Sequence, residues 1–133
     1  MLTKEELIQE AFKGLRFAYA PYSGYPVGAA VLAKDGRVFL GCNIENASYP
    51  AGNCGEMTAL YHAYAHGLRK DDIAALVIVT NGNTVAGPCG ICRQVMLELM
   101  NADTPIYLAN RSDQIETCIK ELMPLSFTAE DLK

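Results

Sequence analysis

The spacing of apolar residues along the chain alternates between a helical and a strand-like period. Near the N-terminus, apolar side chains recur every three or four positions, which predicts an amphipathic helix over residues 3–18. Thr3 and Glu6 stand three residues apart at its start, the spacing of a capping box. Prolines and glycines then punctuate residues 20–26, which predicts a loop before the next regular element.

A β-hairpin is predicted next. Residues 27–33 are small and apolar, whereas residues 37–42 alternate between apolar and polar. Asp35-Gly36 lies between them and is a strong signal for a two-residue turn. The two strands are therefore expected to pair antiparallel.

The rest of the chain predicts helices alternating with strands. The pattern indicates a loop over 43–53, a helix over 56–66 that stops at Gly67, and a buried strand over 74–80. A loop over 81–88 leads to a helix over 90–100 and a strand over 106–109. A last strand over 116–119 and a short helix from Thr128 complete the prediction. This order predicts an α/β architecture in which helices flank a mixed sheet.

Composition narrows the class of protein. A chain of 133 residues, half of them hydrophobic, predicts one folded domain spanning residues 1–133. The net charge is −4 and no run of Lys or Arg occurs, which argues against a polynucleotide partner. The apolar runs are too short to span a membrane, so we expect a cytoplasmic protein. The five cysteines favour metal binding over disulfides.

Two cysteine motifs carry the candidate chemistry. Cys54 is followed two residues later by Glu56, and Cys89 and Cys92 form a Cys-x-x-Cys pair after a proline. Three thiolates leave the fourth position of a zinc ion free for water, and Glu56 could move that water's proton. Both motifs stand where a loop enters a predicted helix, and the positive end of a helix favours thiolates.

Other interpretations of these residues stay open. Cys42 could close the site as a fourth sulfur ligand and make it inert, although it and Cys118 also suit a buried core. The Cys-x-x-Cys pair could be redox-active. His62 and His66 stand four residues apart, but no His-Glu-x-x-His motif is present, so we interpret them as ordinary helix residues.

Several segments resemble one enzyme family, the small homotetrameric cytidine deaminases. The resemblance runs through almost the whole chain and rests on Pro21-Tyr22-Ser23, Val27-Gly28-Ala29-Ala30, Gly41-Cys42-Asn43-Ile44-Glu45-Asn46-Ala47, both cysteine motifs, Glu121-Leu122-Met123-Pro124, Phe127 and Asp131-Leu132. It implies a three-layer α/β/α sandwich around a central mixed five-stranded sheet. It also implies hydrolysis of cytidine and deoxycytidine to uridine and deoxyuridine with release of ammonia, in pyrimidine salvage.

The resemblance assigns a role to individual residues. It implies one zinc ion per subunit on Cys54, Cys89 and Cys92, with Glu56 as the proton shuttle. At the nucleoside substrate, Asn43 and Glu45 would hold the ribose, and Tyr25 and main-chain groups near Gly55 and Gly87 would contact the base. The resemblance also implies a homotetramer with shared active sites, in which Phe127 reaches into the site of a neighbouring subunit. Asn43 and Glu45 could instead cap a loop, and Tyr25 and Phe127 could serve only in packing.

One position departs from the family pattern. The family usually reads Cys-Ala-Glu-Arg, whereas this chain has Gly55 and then Met57 after Glu56. Three thiolates on a divalent cation leave a net charge of −1, which an arginine would offset and Met57 cannot. We hypothesise that the helix ends and another donor compensate.

Three rival functions remain at this stage. A deaminase of the same fold could act on another aminopyrimidine, such as a nucleoside antibiotic. Deamination of a nucleotide or of tRNA is disfavoured, because those relatives usually place His at the first ligand position and this chain has no basic patch. A structural zinc module that binds a partner protein would need a fourth ligand and no Glu56.

Overall fold

The computed structural model describes residues 1–133 as nine regular elements and three short 3-10 helices. In chain order the elements are α1 (Lys4–Leu15), β1 (Val27–Ala33), β2 (Val38–Cys42), α2 (Gly55–Ala65), β3 (Ile73–Thr80), α3 (Gly90–Leu99), β4 (Ile106–Ala109), β5 (Gln114–Thr117) and α4 (Ile119–Leu122). The 3-10 helices span Tyr49–Ala51, Lys70–Asp72 and Ala129–Leu132.

The five strands form one mixed sheet in the order β2-β1-β3-β4-β5. β1 pairs antiparallel with both β2 and β3, and β4 pairs antiparallel with β5. β3 and β4 are parallel, so α3 is the crossover between them. The predicted mixed sheet of five strands is confirmed.

Helices cover both faces of the sheet. Because side chains alternate along a strand, Val77 and Val79 pack with α1 on one face, whereas Leu76 and Ile78 lie in the opposite core. That second core also holds Leu60 of α2, Met96 of α3 and Ile119 of α4. The three-layer α/β/α arrangement expected from the resemblance is confirmed, and the two cysteine motifs both belong to the layer containing α2 and α3.

The first helix is shorter than its apolar pattern predicts. Its capping box is present, with the Glu6 amide donating to the Thr3 hydroxyl and the Thr3 amide to the Glu6 carboxylate. The helix ends at Leu15 instead of reaching residue 18. Tyr19 instead pairs with the 43–45 segment, since its amide donates to the Asn43 carbonyl at 2.9 Å and its carbonyl accepts from the Glu45 amide at 2.8 Å.

The predicted position of the last strand is wrong by two residues. β5 spans Gln114–Thr117, and Ile119, placed by the prediction at the end of that strand, begins α4. Ile119 is only 1% exposed and packs in the core beneath α3. Four-residue patterns do not distinguish a strand from a helical turn, so this burial decides the outcome.

Glycines allow the turns and the close packing that the fold requires. Gly36 in the hairpin and Gly67 after α2 have φ angles of 96° and 93°. The turn predicted at Asp35-Gly36 and the helix end predicted at Gly67 are both found at those positions. Gly41 of β2 lies so close to the backbone of Ala59 that a Cβ there would clash, and this contact seats α2 on the sheet. None of the helices has the length and apolar character needed to cross a lipid bilayer.

Candidate metal centre and cavity

Three cysteine sulfurs meet where α2 and α3 begin. Cys54 is the N-cap of α2, Cys89 is the N-cap of α3, and Cys92 lies in the first turn of α3. The Cys89 sulfur is 3.8 Å from that of Cys54 and 3.3 Å from that of Cys92, and the Cys54 and Cys92 sulfurs are in contact. The helical spacing of Cys89 and Cys92 thus directs two sulfurs toward the one from α2.

The donor set fits a zinc ion. Tetrahedral zinc binds sulfur at about 2.3 Å, which places ligand sulfurs about 3.8 Å apart. A disulfide between Cys54 and Cys92 would leave the Cys89 sulfur unexplained at the same point, whereas one ion accounts for all three. The group contains no fourth Cys, His, Asp or Glu, so Cys42 does not close it. This is the ligand pattern of a catalytic site with one open position.

The positive ends of the two helices bear on the same three sulfurs. Neither N-cap cysteine uses its side chain to cap its helix. The first amide groups of α2 and α3 are therefore free to interact with negative charge in front of them. Two such helix ends would partly offset the charge of three thiolates, which is one part of the compensation hypothesised for Met57.

Glu56 lies in the first turn of α2, beside this cluster. Its side chain is 3% exposed and lines the same cavity as Cys54 and Cys89. Burial raises the pKa of the Glu56 carboxyl above its ordinary value, because desolvation disfavours the charged form. A carboxyl in this position is a candidate for accepting and releasing a proton in catalysis.

The cavity in front of the sulfurs has a volume of about 580 Å³. That is within the range of pockets that bind small molecules. No Lys, Arg or His is among its lining residues, and its charged side chains are Glu45 and Glu56. Seven of the ten predicted site residues line it: Tyr25, Asn43, Glu45, Cys54, Glu56, Gly87 and Cys89.

Asn43 and Glu45 both hold the 22–27 segment against the cavity. The Asn43 Oδ1 accepts from the Val27 amide at 2.8 Å, and its Nδ2 donates to the Tyr25 carbonyl at 2.9 Å. The Glu45 carboxylate accepts from the amides of Tyr22 and Ser23 at 2.9 and 3.1 Å and from the Ser23 hydroxyl. The Ser23 side chain and then its amide hold the pKa of Glu45 below its usual range.

Tyr25 lies at the cavity wall with its hydroxyl over the 81–87 loop. A Cβ built on Gly82 would be 3.2 Å from the Tyr25 hydroxyl oxygen, so the ring packs closely on this glycine. The Asn110 side chain donates to the carbonyl of Gly82 at 3.1 Å. The Tyr25 hydroxyl therefore contacts the loop.

Three predicted residues do not line the cavity. Cys92 is fully buried behind Cys89. Gly55 is buried, and its Cα faces Val27, where an added Cβ would lie 3.0 Å from the Val27 side chain. Phe127 is 59% exposed, and its carbonyl accepts from the Gln94 side chain at 3.1 Å.

Two further residues support the cysteine motifs through contacts that were not predicted from the sequence. The Thr58 hydroxyl accepts from the Cys42 amide at 2.9 Å and lies 2.6 Å and 2.8 Å from the carbonyls of Cys42 and Gly55. Arg93 donates to the carbonyls of Pro88 and Leu122 at 2.7 and 2.8 Å. Each cysteine motif therefore contains one supporting residue. The Cys42 and Leu122 backbone groups that these residues contact are distant in the sequence and come close only in the folded chain.

A third residue missed by the sequence analysis lies on the cavity wall. Thr80 ends β3 and is 2% exposed, and its hydroxyl has no hydrogen-bond partner within the chain. It is the one buried side-chain polar atom without a partner. No local pattern distinguishes it from the apolar residues that precede it in the strand.

Comparison with known proteins agrees with this geometry. Residues 1–108 match the family model described as the cytidine and deoxycytidylate deaminase zinc-binding region. The cytidine deaminase of Halalkalibacterium halodurans is 49% identical over 98% of both chains, and that of Sporosarcina psychrophila is 46% identical over 96% of this chain and 93% of its own. The crystal structure of cytidine deaminase from Burkholderia pseudomallei superposes with a TM-score of 0.92 at 44% identity, covering 95% of this chain and all of the other.

Proposed function

This chain belongs to the cytidine and deoxycytidylate deaminase family, and we propose that it hydrolyses cytidine and deoxycytidine to uridine and deoxyuridine with release of ammonia. One observation carries the proposal: three sulfurs converge at two helix starts, and a buried carboxylate lines the cavity in front of them. The relatives named above are cytidine deaminases, which supports cytosine as the nucleobase of the substrate. We further propose that residues 1–133 form one domain and that the protein acts in the cytoplasm. Its role there would be the turnover of free nucleosides in pyrimidine salvage.

Cys54, Cys89 and Cys92 would hold the zinc ion. When bound, zinc supplies Lewis acidity that activates water for hydrolysis. The protein contributes three sulfur donors and two helix ends, and it provides no fourth ligand that would block access. Cys92 is buried, so solvent reaches the centre from the side of Cys89 and the cavity.

Glu56 would carry the proton in this reaction. Hydrolysis of the exocyclic amine takes a proton from water and delivers one to the leaving nitrogen. The Glu56 carboxyl can serve both halves of that transfer, and burial raises its pKa, which strengthens its hold on the proton it carries. Its burial also keeps bulk water from exchanging the proton away.

The cavity wall favours an uncharged nucleoside over a nucleotide. No cationic side chain lines it, so a phosphate would meet Glu45 without any compensating charge. The side chains of Asn43 and Glu45 already bond the 22–27 segment, and their remaining hydrogen-bonding positions would hold the ribose hydroxyls. Tyr25 would pack on the base, and main-chain groups near Gly55 and Gly87 would contact its polar edge.

A homotetramer with shared active sites would complete the pocket. Phe127 lies outside the cavity of its own chain and is 59% exposed, as a residue lent to a neighbouring subunit would be. Exposed aromatic residues also surround the cavity mouth, including Tyr22 and Tyr49. Sedimentation of the active protein tests this assembly, and a fully active monomer would remove Phe127 from the site.

Glu56→Gln tests the proposed reaction directly. The amide keeps the size of the side chain but cannot transfer a proton, so we expect folded, zinc-loaded protein whose turnover of cytidine falls by about 10²–10⁴-fold. The loss of cytidine absorbance measures turnover, and elemental analysis measures zinc. Glu116→Gln, on the exposed edge strand β5, is the matched control and should retain parental turnover.

Other outcomes of this experiment identify the rival functions. Parental turnover by Glu56→Gln would refute the proton shuttle. Zinc binding with no turnover of any aminopyrimidine in the parent protein would instead support a structural zinc module. Turnover of deoxycytidylate above that of the nucleosides would contradict the argument from the uncharged cavity wall.

A further inference from the structure

The chain contains two histidines, and both lie on one exposed surface far from the cysteine cluster. His62 is in the last turn of α2 and His66 is its C-cap residue. Their ring centroids are 4.9 Å apart. His62 follows Cys54 by eight residues, which places it about 12 Å along the helix from the cysteine. Neither histidine lines the cavity.

Hydrogen bonds determine which nitrogen of each ring is free. The His62 Nδ1 is 3.0 Å from the Leu40 carbonyl oxygen, and the His66 Nδ1 is 3.0 Å from the His62 carbonyl oxygen. A carbonyl oxygen only accepts hydrogen bonds, so each Nδ1 carries the proton. Both Nε2 atoms therefore keep a lone pair in the neutral rings, and that is the tautomer that binds metals.

Packing holds the two rings in place. Phe39 of β2 contacts both, with ring centroids 5.3 Å from His62 and 5.2 Å from His66. Arg37 also stacks over Phe39 at 5.4 Å, and its charge is paired with Asp35 at 2.9 Å. The negative end of the α2 dipole lies here as well and favours a cation.

We propose that His62 and His66 form a second, exchangeable site for a borderline divalent transition metal such as Ni²⁺ or Zn²⁺. A metal–nitrogen bond of about 2.0–2.1 Å places each ring centroid about 3.2 Å from the ion. Centroids 4.9 Å apart then subtend roughly 100° at the metal, between the square-planar and tetrahedral angles. Water completes the coordination. The site is independent of the proposed deaminase reaction.

Calorimetric titration of the untagged, zinc-loaded protein with Ni²⁺ tests this site. We expect one Ni²⁺ per chain without release of the cysteine-bound zinc. His62→Asn and His66→Asn should each weaken Ni²⁺ binding on the order of 100-fold, because a single imidazole loses the chelate advantage. The asparagine amide takes the place of Nδ1 and can donate to the same carbonyl, so each variant removes only the metal ligand. Tyr61→Phe, next to His62 on the same helix, is the control.

The results separate this proposal from alternatives. A parent protein that binds no Ni²⁺, or that takes it up only as zinc is lost, would overturn it. Parental affinity in either asparagine variant would also overturn it, since the pair would then not be required. Unchanged turnover of cytidine in both variants would show that they fold and that this site is separate from the cavity. A rise in Tm with Ni²⁺ in the parent, absent from both variants, is the expected second readout.

Discussion

The two helix starts that supply the sulfurs are built differently. The start of α2 is enclosed: Gly55, Glu56 and Met57 are all buried. The start of α3 is open, with Ile91 71% exposed and only Cys92 buried in the first turn. The helix that contributes one sulfur and the carboxylate is therefore held by the protein core, while the helix that contributes two sulfurs stands largely at the surface.

The supporting contacts differ in the same way. Thr58 joins the first turn of α2 to the end of β2 through two short polar contacts with the Cys42 backbone, and it contacts the Gly55 carbonyl within α2. Arg93 joins α3 to the loop before it and to α4, through a long side chain. These contacts fix the start of α2 more firmly than the start of α3, so we expect metal binding by Cys89 and Cys92 to add to the support of α3.

Among the variants that probe this difference between α2 and α3, Thr58→Val should have the largest effect on stability and turnover. The methyl group keeps the volume of the side chain, but it leaves the Cys42 amide without its acceptor and removes the hydroxyl proton available to the Cys42 and Gly55 carbonyls. We expect a loss of about 1–3 kcal/mol in the free energy of unfolding and reduced turnover even in fully zinc-loaded protein. Urea unfolding and the cytidine assay measure the two effects. Thr58→Ser restores the hydroxyl and should recover most of the stability and of the turnover. Equal behaviour of the two variants would show that the hydroxyl contacts of Thr58 do not support the site.

Arg93→Gln should affect metal retention more than folding. The variant loses the hydrogen bonds to the Pro88 and Leu122 carbonyls, which releases the loop ahead of Cys89. We expect zinc to dissociate about 10-fold faster in the presence of a chelator, in line with supporting residues of metal sites. Arg93→Lys should fall between the two, because an ammonium group lacks the fork that reaches both carbonyls. A zinc-release rate equal to that of the parent would show that α3 needs no such support.

Met57→Arg should give the smallest change, in the pH dependence of turnover. A cation beside the first thiolate offsets the net charge of −1 and stabilises ionised groups in the cavity. The acid limb of the pH–rate profile should therefore move to lower pH, by about one unit. Met57 is 8% exposed, so Met57→Leu is the control for packing. A profile indistinguishable from that of the parent would refute the charge argument for this position.

Elements with strong local signals were predictable from the sequence, and their ends were not. The apolar run of β3 and the glycine after α2 determine those elements locally. The end of α1 depends on Tyr19 pairing with the 43–45 segment, and the α4 turn depends on burial of Ile119. Both are contacts between segments distant in the chain, which periodicity does not contain.

The same division applies to the site. The sulfur ligands and Glu56 were predictable because their chemistry fixes their spacing in the sequence. The roles of Thr58, Arg93 and Ser23 were not, because their partners lie 16, 29 and 22 residues away. The two histidines were interpreted as ordinary helix residues, since the Leu40 carbonyl that accepts from His62 lies 22 residues away in the chain.

X-ray absorption spectroscopy at the zinc edge tests the open three-sulfur centre most directly. Protein saturated at the cysteine site, prepared as His62→Asn/His66→Asn so that only one class of zinc is present, should show three sulfur neighbours at about 2.3 Å and one lighter oxygen neighbour. Four sulfur neighbours, or a fourth ligand from the protein in place of the exchangeable oxygen, would contradict the account.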